Sequence, residues 1–84
     1  MSTMDNIFLK ILTPEQVLWE GAVQKVELPG DKGRFVVLRN HAPVITSLSE
    51  GDVVYVSGVS ESRIHILSGF ASVNANVVTV CAEV

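Results

Sequence analysis

His41, His65 and Cys81 are the side chains of this sequence best suited to metal binding or nucleophilic chemistry. A structural or catalytic zinc needs several such ligands at short spacing, and none of the three has a second ligand so placed. His65 alternates with isoleucines in Arg63-Ile64-His65-Ile66, which puts it on the more polar face of a strand. Cys81 falls in the last apolar run and is expected to be a small buried hydrophobe. Serines are plentiful but cluster in turns, outside any nucleophile-elbow pattern, where they serve as turn formers. Acid–base work would draw on Asp31, Glu50, Asp52 or Glu61, all of which read as exposed turn residues with solvated carboxylates. The expectation is no catalytic residue, no metal and no cofactor.

Lysine chemistry stays open at one place. Gly30-Asp31-Lys32-Gly33 has neither the length of a phosphate-binding P-loop nor a following helix. A lysine at a hairpin tip in a small all-β domain resembles the lipoyl carrier domains, whose exposed amine is acylated. Glycines bracket the Asp31-Lys32 pair here, and two similar halves around it are not apparent. A polar turn with a charged tip is the alternative. A free-standing ligand-binding β-domain is another, and only Phe8, Trp19, Phe35, Tyr55 and Phe70 are available to line its pocket.

The elements that must position these groups are strands. Short β-rich runs at residues 7–12, 17–19, 22–28, 35–38, 44–48, 53–56, 64–67, 70–73 and 77–82 are separated by turn signals. Thr13-Pro14-Glu15 ends the first run, and Glu20-Gly21 reads as a break. Val23 and Val26 lie three apart, so both are buried only if a bulge shifts the phase between them. Pro29-Gly30-Asp31-Lys32-Gly33 is a dense turn cluster, residues 39–43 form a loop, and residues 57–62 form a polar link within a hairpin. No stretch of ten or more residues keeps helical spacing with caps. About nine short strands indicate a sandwich or barrel, one all-β domain over residues 1–84.

Composition bounds the partners. Of 84 residues, 48% are hydrophobic and 18% charged, more apolar surface than so small a sphere can hide. Part of it is expected to face a partner. A net charge of −3 argues against nucleic acid, and no polybasic cluster suggests anionic lipid. No apolar run approaches the roughly 20 residues that span a bilayer. The start, Met-Ser-Thr-Met-Asp-Asn, lacks the basic and apolar regions of a secretory leader. A single cysteine excludes an internal disulfide and fits a reducing compartment.

Gly33-Arg34-Phe35-Val36-Val37-Leu38-Arg39-Asn40-His41-Ala42-Pro43-Val44-Ile45-Thr46 resembles the epsilon-subunit pattern of rotary, proton-translocating ATP synthases. In that pattern a glycine-aromatic strand leads into Gly-His-Ala-Pro and an apolar-Thr strand. Thr13-Pro14-Glu15, Glu20-Gly21, Leu28-Pro29-Gly30, Ser68-Gly69-Phe70 and Val78-Thr79-Val80-Cys81-Ala82-Glu83 agree in order and spacing. Val36 stands where the family usually has glycine, and Arg39-Asn40 where it has Pro-Gly. Asn40 tolerates left-handed backbone, so the turn before His41 is expected to survive.

The resemblance implies a ten-stranded β-sandwich at the foot of the central stalk, between the gamma subunit and the c ring. It implies a non-catalytic rotor subunit that couples proton flow to ATP synthesis, peripheral to the cytoplasmic face of a bacterial inner membrane. Lys32, Gly33 and Arg34 would meet the c ring; Thr13, His41 and Thr46 would face gamma. Pro29, Gly30, Ala42 and Pro43 would shape the connecting turns. His41 is expected to order its own loop by hydrogen bonding. The family usually continues into two helices that restrain hydrolysis. This sequence ends at Glu83-Val84, so it is expected to have no such restraint, no ATP site and no small-molecule ligand.

Overall fold

Alternating burial is the rule along the strands, and it dictates how the chain closes. In β1 (Ile7–Leu12), Ile7, Leu9 and Ile11 are buried while Phe8 is exposed. In β9 (Val77–Glu83), Val78, Val80 and Ala82 are buried in the same alternation. A strand so patterned must lay one face on another sheet. This computed structural model describes residues 6–84; the amino-terminal stretch read above for a leader lies, apart from Asn6, outside them.

Between these strands come β2 (Val17–Val23), β3 (Lys25–Gly30), β4 (Gly33–Val37), β5 (Val44–Leu48), β6 (Gly51–Ser57), β7 (Ser60–Ile66) and β8 (Ser68–Asn74). The nine strands belong to one continuous sheet, ordered β2-β1-β9-β8-β5-β3-β6-β7, with β4 on the other side of β3. The sheet curls so that β2-β1-β9-β8-β5 faces β4-β3-β6-β7, giving the sandwich expected from sequence. β1 and β9 run parallel, and every other pairing is antiparallel. β3 makes the crossover: it pairs with β6 over Lys25–Glu27, then meets β5 at Gly30 opposite Leu48.

Leu9, Ile11, Val23, Val26, Leu28, Val37, Val53, Ile66, Val78 and Val80 fill the space between the halves, none exposed to solvent. Each such side chain contributes about 1.5–3 kcal/mol by leaving water. Trp19 of β2 and Tyr55 of β6 stack across the halves, ring centroids 4.5 Å apart. Burial pushes the Tyr55 hydroxyl's pKa up.

Four local readings change. Glu20-Gly21 does not break β2, because Gly21 leaves the space that the Trp19 ring occupies; a Cβ there would lie 3.0 Å from it. The phase slip between Val23 and Val26 is a change of strand at Gln24 rather than a bulge within one. Pro29 and Gly30 are the last residues of β3, not part of the turn, which is Asp31-Lys32 alone. Pro29 cannot donate, and it sits where β3 has left β6 and not yet reached β5. The polar link at residues 57–62 is a tight turn at Gly58-Val59, with Gly58 at φ 66° and Ser57 paired to Ser60.

Candidate docking surface

The two outer faces of the sandwich differ in chemistry. On the face of β2-β1-β9-β8-β5, cross-strand register aligns Phe8 with Val77, Lys10 with Thr79, and Leu12 with Cys81 and Phe70. Ile45 continues the row of Ser72 and Thr79. Ile45 is 79% exposed and Phe70 53%, although both lie in strands of a folded domain. Pro14, Phe70, Cys81 and Ala82 line an open cleft at one end of this face. Apart from the cross-strand neighbours Lys10 and Glu20, and Glu83 at the end of β9, the aligned outward rows are apolar or neutral.

The outer face of β4-β3-β6-β7 is a lattice of opposite charges. Arg34 Nε lies 3.3 Å from Glu27, and its terminal nitrogen donates to the Asp52 carbonyl at 2.8 Å. Arg63 reaches both Asp52 and Glu61 at 3.3 Å. His65 stands between carboxylates, Nδ1 2.8 Å from Asp52 and Nε2 3.1 Å from Glu50. The hydrogen bond from His65, helped by Arg63, holds the Asp52 carboxyl below the usual carboxylate range, against a smaller opposing effect of burial. The Asp52 and then the Glu50 contact raise the pKa of His65. Such a face satisfies itself and gains little from a partner.

One end gathers the turns. Thr13–Gln16, Asp31-Lys32, Ser49-Glu50 and Leu67 all lie there, because β1 and β9 end where β4, β6 and β8 begin. Ser49 ties two of these turns together: its hydroxyl donates to Asp31 Oδ1 at 2.6 Å and its N–H to the Pro29 carbonyl at 2.8 Å.

The residues picked out in the sequence are distributed over these surfaces unequally. Lys32 and Gly33 stand exposed at the β3–β4 tip, with Gly33 at φ 126° where a side chain would be strained. Arg34 folds back from that tip onto the charged lattice. Thr13 organises its own turn, its hydroxyl accepting from the Glu15 and Gln16 N–H groups. His41 lies at the opposite end, where Nδ1 is 2.8 Å from the Ala42 carbonyl and the ring is 6.3 Å from Phe35. Ala42 and Pro43 belong to this loop, which enters β5. Thr46 is half-buried in the inward row of β5 with Val44 and Leu48, opposite Ala71. Thr13, His41 and Thr46 therefore form no single patch.

Sequence reasoning missed Ile45 and the charged cluster, and named Phe70 only as a pocket candidate and motif residue, not as part of an exposed face. Alternation within residues 44–48 would have put Ile45 outward once Leu48 was taken as core. Asp52 and Glu61 prove to be strand residues of β6 and β7 rather than turn residues, and Asp52 directly opposes His65. Cys81 is half-buried on the outer face, not buried, because Val80 and Ala82 hold the inward positions. The five aromatics do not converge on a pocket: Trp19 and Tyr55 stack inside, while Phe8 and Phe70 point outward. Among the described residues, no group of three His, Cys, Asp or Glu could hold a metal ion, and no helix is long and apolar enough to cross a membrane.

Residues 6–84 match the family described as ATP synthase, Delta/Epsilon chain, beta-sandwich domain. The chain is 39% identical over 80 residues to the ATP synthase epsilon chain of Caulobacter vibrioides, covering 95% of this chain and 93% of that one. It is 35% identical over 81 residues to the epsilon chain of Rhodopseudomonas palustris, of which it spans 60%. Its fold superimposes with a TM-score of 0.86, at 22% identity, on a chain in the Euglena gracilis mitochondrial ATP synthase, OSCP/F1/c-ring in rotational state 1. That likeness covers 93% of this chain and 51% of the other, and it speaks to the fold alone.

Proposed function

Because the chain belongs to the ATP synthase delta/epsilon-chain β-sandwich family, we propose that it is a non-catalytic rotor subunit of the central stalk. It docks one flank on the gamma subunit and one end on the c ring, and so couples proton translocation to ATP synthesis. The observation that carries this reading is the asymmetry of the sandwich. One outer face is mostly apolar or neutral, with Ile45 and Phe70 open to solvent and few charges; the other neutralises its own charges.

A face of the first kind gains free energy when covered, and a sheet spanned by cross-strand hydrogen bonds resists shear. Torque passed through such a body meets no helix among the described residues. The assignment of flanks follows from chemistry. Gamma takes the apolar face, with Ile45 and Phe70 as its centre and Thr13 and His41 at its ends. The c ring takes the turn-bearing end, where Lys32 and Gly33 are exposed and Arg34 supports the tip from behind.

In this reading the sandwich works by attachment and does not itself restrain hydrolysis. It sits at the cytoplasmic face of a bacterial inner membrane, held there by its neighbours. The test is recovery from detergent-solubilised membranes with the tagged full chain as bait. Gamma and c subunits should copurify with it; a folded bait that recovers neither would refute the proposal.

A further inference from the structure

The His65 cluster carries an inference that does not depend on the docking assignment. Both ring nitrogens of His65 face carboxylate oxygens, Nδ1 at 2.8 Å from Asp52 Oδ1 and Nε2 at 3.1 Å from Glu50 Oε2. A carboxylate only accepts, so each of these two contacts needs an N–H on the ring. Neutral imidazole has one N–H and imidazolium has two. The geometry is therefore that of the protonated ring.

Losing the proton does not loosen both contacts equally. The Asp52 contact is the shorter of the two, 2.8 Å against 3.1 Å. Asp52 is also the less exposed of the two carboxylates, 32% against 66% for Glu50. The single N–H of the neutral ring stays on Nδ1, facing Asp52, and the bare Nε2 then repels the Glu50 oxygen.

We propose that His65 is a proton-dependent clasp on the Ser49-Glu50 turn: when charged it ties Glu50 to the β6–β7 hairpin, and when neutral it lets Glu50 go. Glu50 is joined directly to Ser49, whose hydroxyl and N–H hold Asp31 and the end of β3. The clasp thus sets how firmly the β5–β6 turn braces the tip that carries Lys32.

The charged groups around His65 are few and fixed in sign. From β6 comes Asp52, from the β5–β6 turn Glu50, and from its own strand Arg63 and Glu61; Arg34 of β4 and Lys25 and Glu27 of β3 line the same cleft. Two carboxylates touch the ring directly and the nearest cation touches Asp52 instead, so the balance at the ring favours the proton. That pKa is raised by the same two contacts. Any consequence for docking on the c ring rests on the function proposed above; the clasp itself does not.

The experiment is a proton NMR titration of the His65 ring in the isolated full chain, with amide hydrogen exchange at residues 49–52. Glu50→Gln should lower the His65 midpoint, and Glu61→Gln, which removes a carboxylate not touching the ring, should shift it less. Exchange at residues 49–52 should be slower in the wild type than in Glu50→Gln by roughly two- to fivefold below the His65 midpoint. Above it the two proteins should exchange alike. A His65 midpoint indifferent to Glu50→Gln, or an exchange ratio constant across the titration, would overturn the proposal. Neither result would bear on capture of gamma, which is read from a different face.

Discussion

The backbone N–H of Asn40 donates to Oδ1 of Asn76 at 2.6 Å, and Asn76 Nδ2 returns a bond to Asn40 Oδ1 at 3.3 Å. Two asparagines 36 positions apart thus fasten the loop after β4 to the β8–β9 hairpin. Both occupy the left-handed region, at φ 66° and 63°, which asparagine enters at less cost than other side chains. Asn76→Ala loses the tie and keeps an unfavourable backbone, so it should destabilise by about 1–2 kcal/mol in denaturant titration. Asn76→Gly should recover the backbone part of that loss.

Ala75, beside it, is also left-handed at φ 52°, which completes a two-residue hairpin turn of the twist-matched kind. Alanine gains nothing there. Ala75→Asn or Ala75→Gly should stabilise by about 0.5–1 kcal/mol, and a lower midpoint in denaturant would contradict this.

Gly69 lies in extended backbone, yet a Cβ built on it would collide with the Cys81 carbonyl of β9 and lie 3.1 Å from Ala82 Cα. Backbone cannot rotate away as a side chain can. Gly69→Ala should cost about 1–3 kcal/mol by forcing β8 and β9 apart, measurable as a lower thermal midpoint.

The His65 cluster gives stability a definite pH dependence. Its raised pKa means that stabilisation is full below the ordinary histidine value of 6.5 and is lost as pH rises through the higher folded value. The lowered pKa of Asp52 means that its share is full above 3.8 and is lost as pH falls through the folded value beneath. The melting-temperature gap between wild type and His65→Asn should therefore be widest between those two values. A gap that is constant, or that grows towards about pH 9, would contradict the sign.

Much of this fold was legible because alternation is a local property. Ile7, Leu9 and Ile11 declare a buried face without reference to anything else in the chain. Turns were legible where a single residue's backbone decides them, as at Asn40. What could not be read were facts created by pairing. Gly21 resembles a strand breaker until Trp19 is seen to lie over it, and Pro29 resembles a turn until β3 is seen to change partners beside it.

The site suffered more from the same cause. Asp52 and His65 are 13 residues apart and become neighbours only through the β6–β7 register. Glu50, Asp52 and Glu61 each looked like solvated turn carboxylates when considered singly. Ile45 and Thr46 exchange roles on a single-residue phase, which the sequence fixes only after Leu48 is placed in the core. Motif position had favoured Thr46.

The most direct test of the docking account compares substitutions on the two outer faces by measured affinity for isolated gamma subunit. Phe70→Glu and Ile45→Glu should weaken binding by about tenfold or more while leaving the thermal midpoint near that of the wild type. Glu61→Lys, on the charged lattice, should change affinity by no more than about twofold. Gamma binding that survives both apolar substitutions but fails with Glu61→Lys would place the contact on the other face and contradict the account.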